Sequence, residues 1–333
     1  MAFTGVEKLT MTSVSIVGAG AWGTALALAI NKAGPKVTLV AQDAQEASDL
    51  QKDRECFRLP GIKIPKEIDI AHSLQEAGRA DIILMAVPAQ VMREVTEKLA
   101  SFLEGDKYIV LCSKGIELNS GLLMSEIVEE TLEGHSISVL SGPTFAKDVA
   151  ADKPCAASLA NTELSTARWL ASSLGSPHFR LYPTNDLVGV ELTGALKNVI
   201  AIAAGIATAR GYGESARAGL VTRGVAEMVR LGDAMGAQQE TFLGLSGLGD
   251  LVLCCTSDSS RNMTLGLKVG QGTTLEDKTL LTEGAYTSQA VITLAEELDV
   301  DLPICTCVHR ILHEGANIED EVKQLLSRPM KSE

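Results

Sequence analysis

Two lysines stand where a charged amine calls for a reason. Lys114 directly follows the apolar run Tyr108 to Ser113, at the carboxyl end of an expected strand. That is the edge where ligands bind in open α/β sheets. Lys197 lies in a segment rich in alanine and glycine, beside Thr193, Gly194, Ala195, Ala201 and Ala204. Small residues let other backbones approach, and an ammonium stripped of water there has its pKa lowered toward a value suited to proton transfer near neutrality. Taken alone, each lysine also fits a surface side chain that snorkels its charge to solvent. Further along, Gly247-Leu248-Gly249-Asp250 presents a carboxylate in loop-like sequence, and Ser259-Ser260-Arg261-Asn262 gathers donors. Arginine offers a bidentate fork to phosphate, with Ser and Asn adding neutral donors, although the same run is an ordinary helix-start signal. Ser141-Gly142-Pro143-Thr144-Phe145, after another strand candidate, can present a backbone N–H and a hydroxyl to a ligand.

A third constellation is Gly18-Ala-Gly20-Ala-Trp-Gly23. Three spaced glycines alone are weak evidence, but here they follow the strand candidate Val14 to Val17 and open a helical pattern from Thr24 to Lys32. In that order the first glycine permits a tight turn, the second admits a pyrophosphate, and the third lets helix and strand pack closely. The pyrophosphate would meet free N–H groups at the positive end of a helix. Lys36 to Val40 reads as the next strand, and Asp43 stands 20 residues beyond Gly23, where an acid can hold a ribose hydroxyl. Asp43 also fits an exposed turn acid, and Gln42 before it would tolerate a 2′-phosphate better than a carboxylate, so NAD and NADP both stay open.

These residues need a scaffold. Apolar runs at 81–87 and 108–112, with shorter ones at 137–140 and 155–160, alternate with helical stretches near 90–103, 122–133 and 162–174. Such alternation predicts a doubly wound, Rossmann-type parallel sheet covered on both faces. After Asp186, a candidate helix cap, strand signals nearly vanish: 187–210, 216–236, 287–298 and 303–314 read as helices, with glycine-rich connectors at 244–249 and 270–272. The expected organisation is an α/β class dinucleotide-binding domain over 1–188 and an all-α substrate and catalytic domain over 189–333.

Composition limits the function. The 333 residues carry 42 acids against 29 bases, a net charge of −13, which argues against a nucleic-acid surface or an anionic membrane. Within 191–230, however, five bases face three acids, so a small anionic ligand can still find a basic site. Seven cysteines form no disulfide or zinc framework, the start lacks an apolar leader, and no continuous apolar run reaches the roughly 18 residues of a membrane span. The expectation is a cytoplasmic protein with reduced thiols. Five histidines show no metal-ligand grouping, and His309 and His313, without an intervening Glu, read as a solvated helix face; no metal is expected. No tyrosine is followed by lysine four residues on, which excludes the short-chain dehydrogenase pair.

Together, GAGAWGTAL at 18–26, SKG at 113–115, SGPTFAKD at 141–148, ELTGALKNVIAIAAG at 191–205, LSGLGDLVLCCT at 245–256 and SRN at 260–262 resemble the bacterial-type NAD(P)-dependent glycerol-3-phosphate dehydrogenase family over almost the whole chain. The resemblance implies interconversion of dihydroxyacetone phosphate and sn-glycerol 3-phosphate for phospholipid synthesis, by a homodimer, with Lys197 as proton donor and acceptor and Lys114 and Asp250 orienting it. It further implies substrate contacts from Lys114, Gly142, Thr144, Lys197, Asp250, Ser260, Arg261 and Asn262. Cofactor contacts would come from Ala21, Trp22, Gln42, Lys114, Ala146, Arg261, Leu281 and Glu283, beside Gly18, Gly20 and Gly23. Two departures stand out: Gln42 replaces the basic or histidine residue common there, and Cys254 stands where relatives often carry Thr. Two alternatives remain, a two-domain reductase of a hydroxy or keto acid, which would need carboxylate recognition, and a non-catalytic dinucleotide sensor.

Overall fold

The computed structural model describes residues 12–274 and 282–329. Its first half is an eight-stranded sheet, in which β1 (Ser13–Val17), β2 (Lys36–Val40), β3 (Asp69–Ala71), β4 (Ile82–Met85), β5 (Tyr108–Leu111), β6 (Ser136–Ser141), β7 (Cys155–Ala160) and β8 (Phe179–Thr184) lie in the order 3-2-1-4-5-6-7-8. The helices between them are α1 (Ala21–Ala33), α2 (Ala44–Asp53), α3 (Leu74–Gly78), α4 (Met92–Ala100), α5 (Met124–Thr131), α6 (Ala146–Ala150) and α7 (Leu164–Leu174). β1 to β6 pair in parallel, as the alternating pattern predicts. The pairing of β7 with β6 is antiparallel, with Leu140 opposite Leu159, and β8 runs parallel to β7. The sheet is therefore parallel over six strands and reversed over the last two.

The apolar runs follow from burial on both faces. In β4, Ile82 and Leu84 join one core with Leu26 and Ile30 of α1 and Leu170 of α7, while Ile83 and Met85 join the opposite core with Met92 and Leu99 of α4 and Ile127 of α5. Removing one such side chain to Ala costs about 2–5 kcal/mol. At the carboxyl edge of β1 the chain turns so tightly that a Cβ on Gly18 would lie 2.7 Å from the Ala86 carbonyl oxygen, and one on Gly23 would lie 1.8 Å from that of Gly18. The first and third glycines are thus required by packing alone.

The second half is helical among the described residues: α8 (Leu187–Ala209), α9 (Gly213–Ala234), α10 (Gln239–Leu243), α11 (Asp250–Thr256), α12 (Arg261–Gly270), α13 (Glu283–Glu297), α14 (Pro303–His313) and α15 (Ile318–Ser327). Asp186 caps α8 as expected, its Oδ1 accepting from the Gly189 N–H at 2.9 Å. α8 is long and apolar enough to cross a membrane, yet it is mostly buried inside the protein. An apolar surface all round marks a core helix, and α9, α11, α12 and α13 surround it. α12 crosses α8 backbone to backbone: a Cβ on Gly266 would fall 2.1 Å from the Ile202 carbonyl oxygen. The stretch 244–249, expected to be a connector, instead contains a π-helical turn over Leu245–Gly249 that leads directly into α11. His309 and His313 do not form a simple solvated face either; their rings pack at 5.2 Å and His313 Nε2 lies 3.0 Å from Ser288 Oγ.

Candidate active site

The dinucleotide loop comes first along the chain. Gly20 caps α1 without any side-chain hydrogen bond, so the helix presents its first N–H groups unclaimed by a cap. A Cβ on Gly20 would meet nothing within 4 Å. Unlike its two partners, this glycine is not demanded by packing, which fits a backbone that a pyrophosphate must approach. Ala21 and Trp22 begin α1, half-buried, and the Trp22 indole N–H is buried without an acceptor. Ala146 begins α6, which packs against α1. The Gly18 N–H donates to the Val40 carbonyl at 2.9 Å, which ties the loop to the end of β2, where Gln42 and Asp43 stand exposed. Asp43 also caps α2, with Oδ1 accepting from the Glu46 N–H at 2.9 Å. Leu281 lies outside the described residues.

In the helical half, Glu283 opens α13 and accepts from the Ala89 N–H at 3.2 Å through Oε1, while its Oε2 is buried without a partner among the described residues. Burial pushes this carboxyl above its ordinary pKa, against the Ala89 hydrogen bond and Arg261. A Cβ on Gly115 would come 3.2 Å from that Oε2 and 3.8 Å from Thr287 Oγ1, which like it is buried without a partner among the described residues. Buried donor and acceptor atoms without partners among the described residues suit a nicotinamide dinucleotide, whose carboxamide both donates and accepts.

Three charges meet at the centre. Lys114, three residues past β5, donates to Asp250 Oδ2 at 2.6 Å and to the Gly142 carbonyl at 3.1 Å. Lys197, in the middle of α8, lies 3.2 Å from each oxygen of the same carboxylate. Its Nζ also lies 2.9 Å from Cys254 Sγ, one helical turn beyond Asp250. The side chains of Lys114, Lys197 and Asp250 are 17%, 8% and 2% exposed, so their mutual attraction is poorly screened.

Desolvation on its own predicts a lowered Lys197 pKa, and the structure reverses that expectation. Burial does oppose the charge, but Asp250 and Cys254 outweigh it and hold Lys197 above its ordinary value. Lys114 moves down, because burial and the neighbouring Lys197 prevail over Asp250. For Asp250, burial opposes ionisation, yet the two ammonium groups keep it below the usual carboxylate range. Burial pushes the Cys254 thiol up, against the pull of the neighbouring Lys197. Two lysines on one carboxylate lose protons as a coupled pair.

Behind the lysines runs an amide relay that sequence reasoning missed. Asn198, next to Lys197, reaches the Lys114 carbonyl at 3.5 Å and accepts from Asn262 Nδ2 at 2.8 Å; Asn262 Oδ1 in turn accepts from the Gly284 N–H at 3.0 Å. The available signal was a lone amide in an otherwise apolar helix. Asn262 is thereby largely a strut between α8, α12 and α13, leaving one amide hydrogen for a ligand. Ser260 caps α12, its Oγ accepting from the Met263 N–H at 3.2 Å. Arg261 is exposed at the same helix end and makes no hydrogen bond among the described residues. Thr144, in the turn after β6, bonds the Gly142 carbonyl at 3.2 Å. Gly142 presses on β7, where a Cβ would lie 2.7 Å from Ala157 Cα.

The sequence model described as "NAD-dependent glycerol-3-phosphate dehydrogenase N-terminus" matches residues 13–167, and the one described as its C-terminus matches 186–323. The chain belongs to the glycerol-3-phosphate dehydrogenase family. It is 45% identical over 330 residues to the glycerol-3-phosphate dehydrogenase [NAD(P)+] of Parvibaculum lavamentivorans, covering 98% of this chain and 99% of that one. It is 43% identical to the enzyme of the same name from Rhodopseudomonas palustris strain TIE-1, over 97% and 99% of the two chains. Among solved structures, the glycerol-3-phosphate dehydrogenase of Coxiella burnetii matches with a TM-score of 0.90 at 36% identity, over 95% and 99% of the two chains. A glycerol-3-phosphate dehydrogenase uses NAD or NADP and acts on a small phosphorylated substrate, which the buried cationic centre and the exposed guanidinium of Arg261 suit.

Proposed function

We propose that this chain interconverts dihydroxyacetone phosphate and sn-glycerol 3-phosphate, with Lys197 as the group that gives and takes the proton. The observation that carries the reading is the junction of Lys114, Lys197 and Asp250 within 3.2 Å, from three segments far apart in sequence. The bound NAD or NADP supplies the hydride. Lys197 Nζ donates to the ketone oxygen as negative charge grows there, and Asp250 keeps it protonated through the neutral range. Lys114, anchored on Asp250 and the Gly142 carbonyl, adds a second positive charge beside the developing alkoxide. The amino end of α12, with Ser260, Arg261 and the backbone N–H groups of its first turn, receives the phosphate and fixes the carbonyl against the hydride donor. Gly142 and Thr144 complete the wall opposite.

Residues 1–188 serve as the dinucleotide-binding unit and 189–333 as the substrate unit, because α8 begins at Leu187 and carries Lys197. Seven unpaired thiols support work in the reducing cytoplasm. Assembly as a homodimer and supply of the phospholipid backbone complete the reading, from family likeness. The test is a steady-state assay with dihydroxyacetone phosphate, run in parallel with NADH and NADPH and against ketopantoate. Turnover of the phosphorylated ketone, at least a hundredfold more efficient than of the keto acid, is expected. Preference for ketopantoate would reassign the substrate, and no oxidation of either dinucleotide with any ketone would leave a sensor.

A further inference from the structure

We propose that Lys147 is an additional substrate-binding residue, whose ammonium reaches the phosphate from the side opposite Arg261. The inference rests on the reading of the α12 amino end as the phosphate site. Lys147 lies on α6, just after the Gly142 to Thr144 turn, and donates to Ser259 Oγ at 2.6 Å. That bond crosses from the element following β6 to the loop that leads into α12, and it ends one residue before Ser260 and two before Arg261. The ammonium also stands 6.0 Å from the Phe145 ring centre.

Charge placement makes the residue unusual for its segment. The neighbouring acid, Asp148, is taken by Lys153 at 2.7 Å. Lys147 forms no salt bridge among the described residues, and its one polar partner there is a neutral hydroxyl. A long, exposed lysine normally stays in water or meets a carboxylate. Here it is directed at the loop in front of a helix whose amino end already favours negative charge, with a guanidinium at the same end that makes no hydrogen bond among the described residues. A dianionic phosphate accepts from two cations and several N–H groups at once, and the lysine acts as the point charge beside the bidentate arginine. Because Lys147 comes from the sheet side and Arg261 from the helical side, the phosphate would tie the two walls of the cleft together.

The experiment measures KM for dihydroxyacetone phosphate and for NADH, with kcat, in Lys147→Met, Lys147→Arg, Arg261→Ala and Lys153→Met. Loss of one charge-assisted contact at a half-exposed site predicts a KM for the phosphorylated ketone raised about tenfold in Lys147→Met. In the same variant kcat and the KM for NADH stay within twofold, and Lys147→Arg recovers most of the loss. Lys153→Met removes the same charge six residues away and should leave all constants near wild type. An unchanged KM in Lys147→Met, with a raised one in Arg261→Ala, overturns the role of Lys147 while leaving the phosphate site intact. Unchanged substrate KM in both variants overturns the reading of the α12 end itself. Equal rises in Lys147→Met and Lys153→Met reduce the effect to general surface charge and likewise overturn the contact.

Discussion

Asp250→Asn is the most informative single change, because it removes a charge and almost no volume. In the wild type the carboxylate neutralises two ammonium groups, at 2.6 Å and 3.2 Å, in a setting where its own side chain is 2% exposed. Leaving a buried charge without its partner costs about 3–5 kcal/mol. The variant avoids most of that cost by releasing a lysine proton, so the penalty reappears as depressed lysine pKa values. About 3 kcal/mol corresponds to roughly two pKa units. Reduction of the ketone needs Lys197 protonated, so its rate falls as pH rises through the pKa of that lysine. Asp250 holds that value above the ordinary one in the wild type, and activity should persist well into the alkaline range. In Asp250→Asn the alkaline limb of kcat should move down by about two pH units, while kcat near pH 7, where that lysine is still protonated, should change far less than at the alkaline end. Stability should follow with a definite sign. A lysine whose folded pKa is depressed binds fewer protons folded than unfolded, so the variant should gain stability as pH rises from neutral toward about 10. The assay is dinucleotide oxidation followed by absorbance from pH 6 to 11, beside thermal melts over the same range. A variant whose kcat persists as far into the alkaline range as that of the wild type would refute the electrostatic role assigned to Asp250.

Two further perturbations address the cofactor loop and the helical core. Gly20→Ala should fold with near wild-type Tm, since its Cβ meets nothing, yet raise the KM for NADH at least several-fold; Gly23→Ala, with a Cβ 1.8 Å from a carbonyl oxygen, should lower Tm by many degrees. Equal melting temperatures for the two would count against the distinction between packing and ligand approach. Glu191, buried on α8, accepts from the Ser125 N–H at 2.9 Å and its Oγ at 2.5 Å, and burial prevails over those bonds to push its pKa up to about 7. A carboxyl raised above its unfolded value of about 4.3 contributes stability that is complete below that pH and lost as pH climbs through 7, at most about 4 kcal/mol. Glu191→Gln should therefore flatten the fall in Tm between pH 5 and 8, and melting curves parallel to wild type across that window would remove Glu191 as its source.

The parts of the fold that are local in sequence were readable, and those that depend on partners far along the chain were not. The strand, three glycines and helix from Val14 to Lys32 carry their own period and turn chemistry, and Asp186 carries its own capping oxygen, so both emerged without tertiary context. The reversal of β7 did not, because an apolar run has the same pattern in either direction. β3 is only three residues long, and β8 is an edge strand, exposed at several positions and interrupted by Pro183; neither offers a buried period. Gly244 to Gly249 looked like a connector because glycine lowers helix propensity, while packing around Phe242 and α8 imposes the π-helical turn. Lys197 stands out by its apolar surroundings, which on their own point to a lowered pKa, opposite to the direction the folded site imposes. Its small-residue neighbours are visible in sequence, whereas the carboxylate that reverses the shift lies 53 residues away. The Asn198–Asn262 bond escaped notice for the same reason, being a contact between two helices each unremarkable alone.

The central claim is that Lys197 moves the proton, and turnover of Lys197→Ala alongside its affinity for NADH tests it most directly. The account predicts a kcat for reduction of dihydroxyacetone phosphate lowered roughly 10²–10⁴-fold, with the dinucleotide bound as in wild type and the fold intact by circular dichroism. A variant that folds, binds NADH and turns over near the wild-type rate would contradict it.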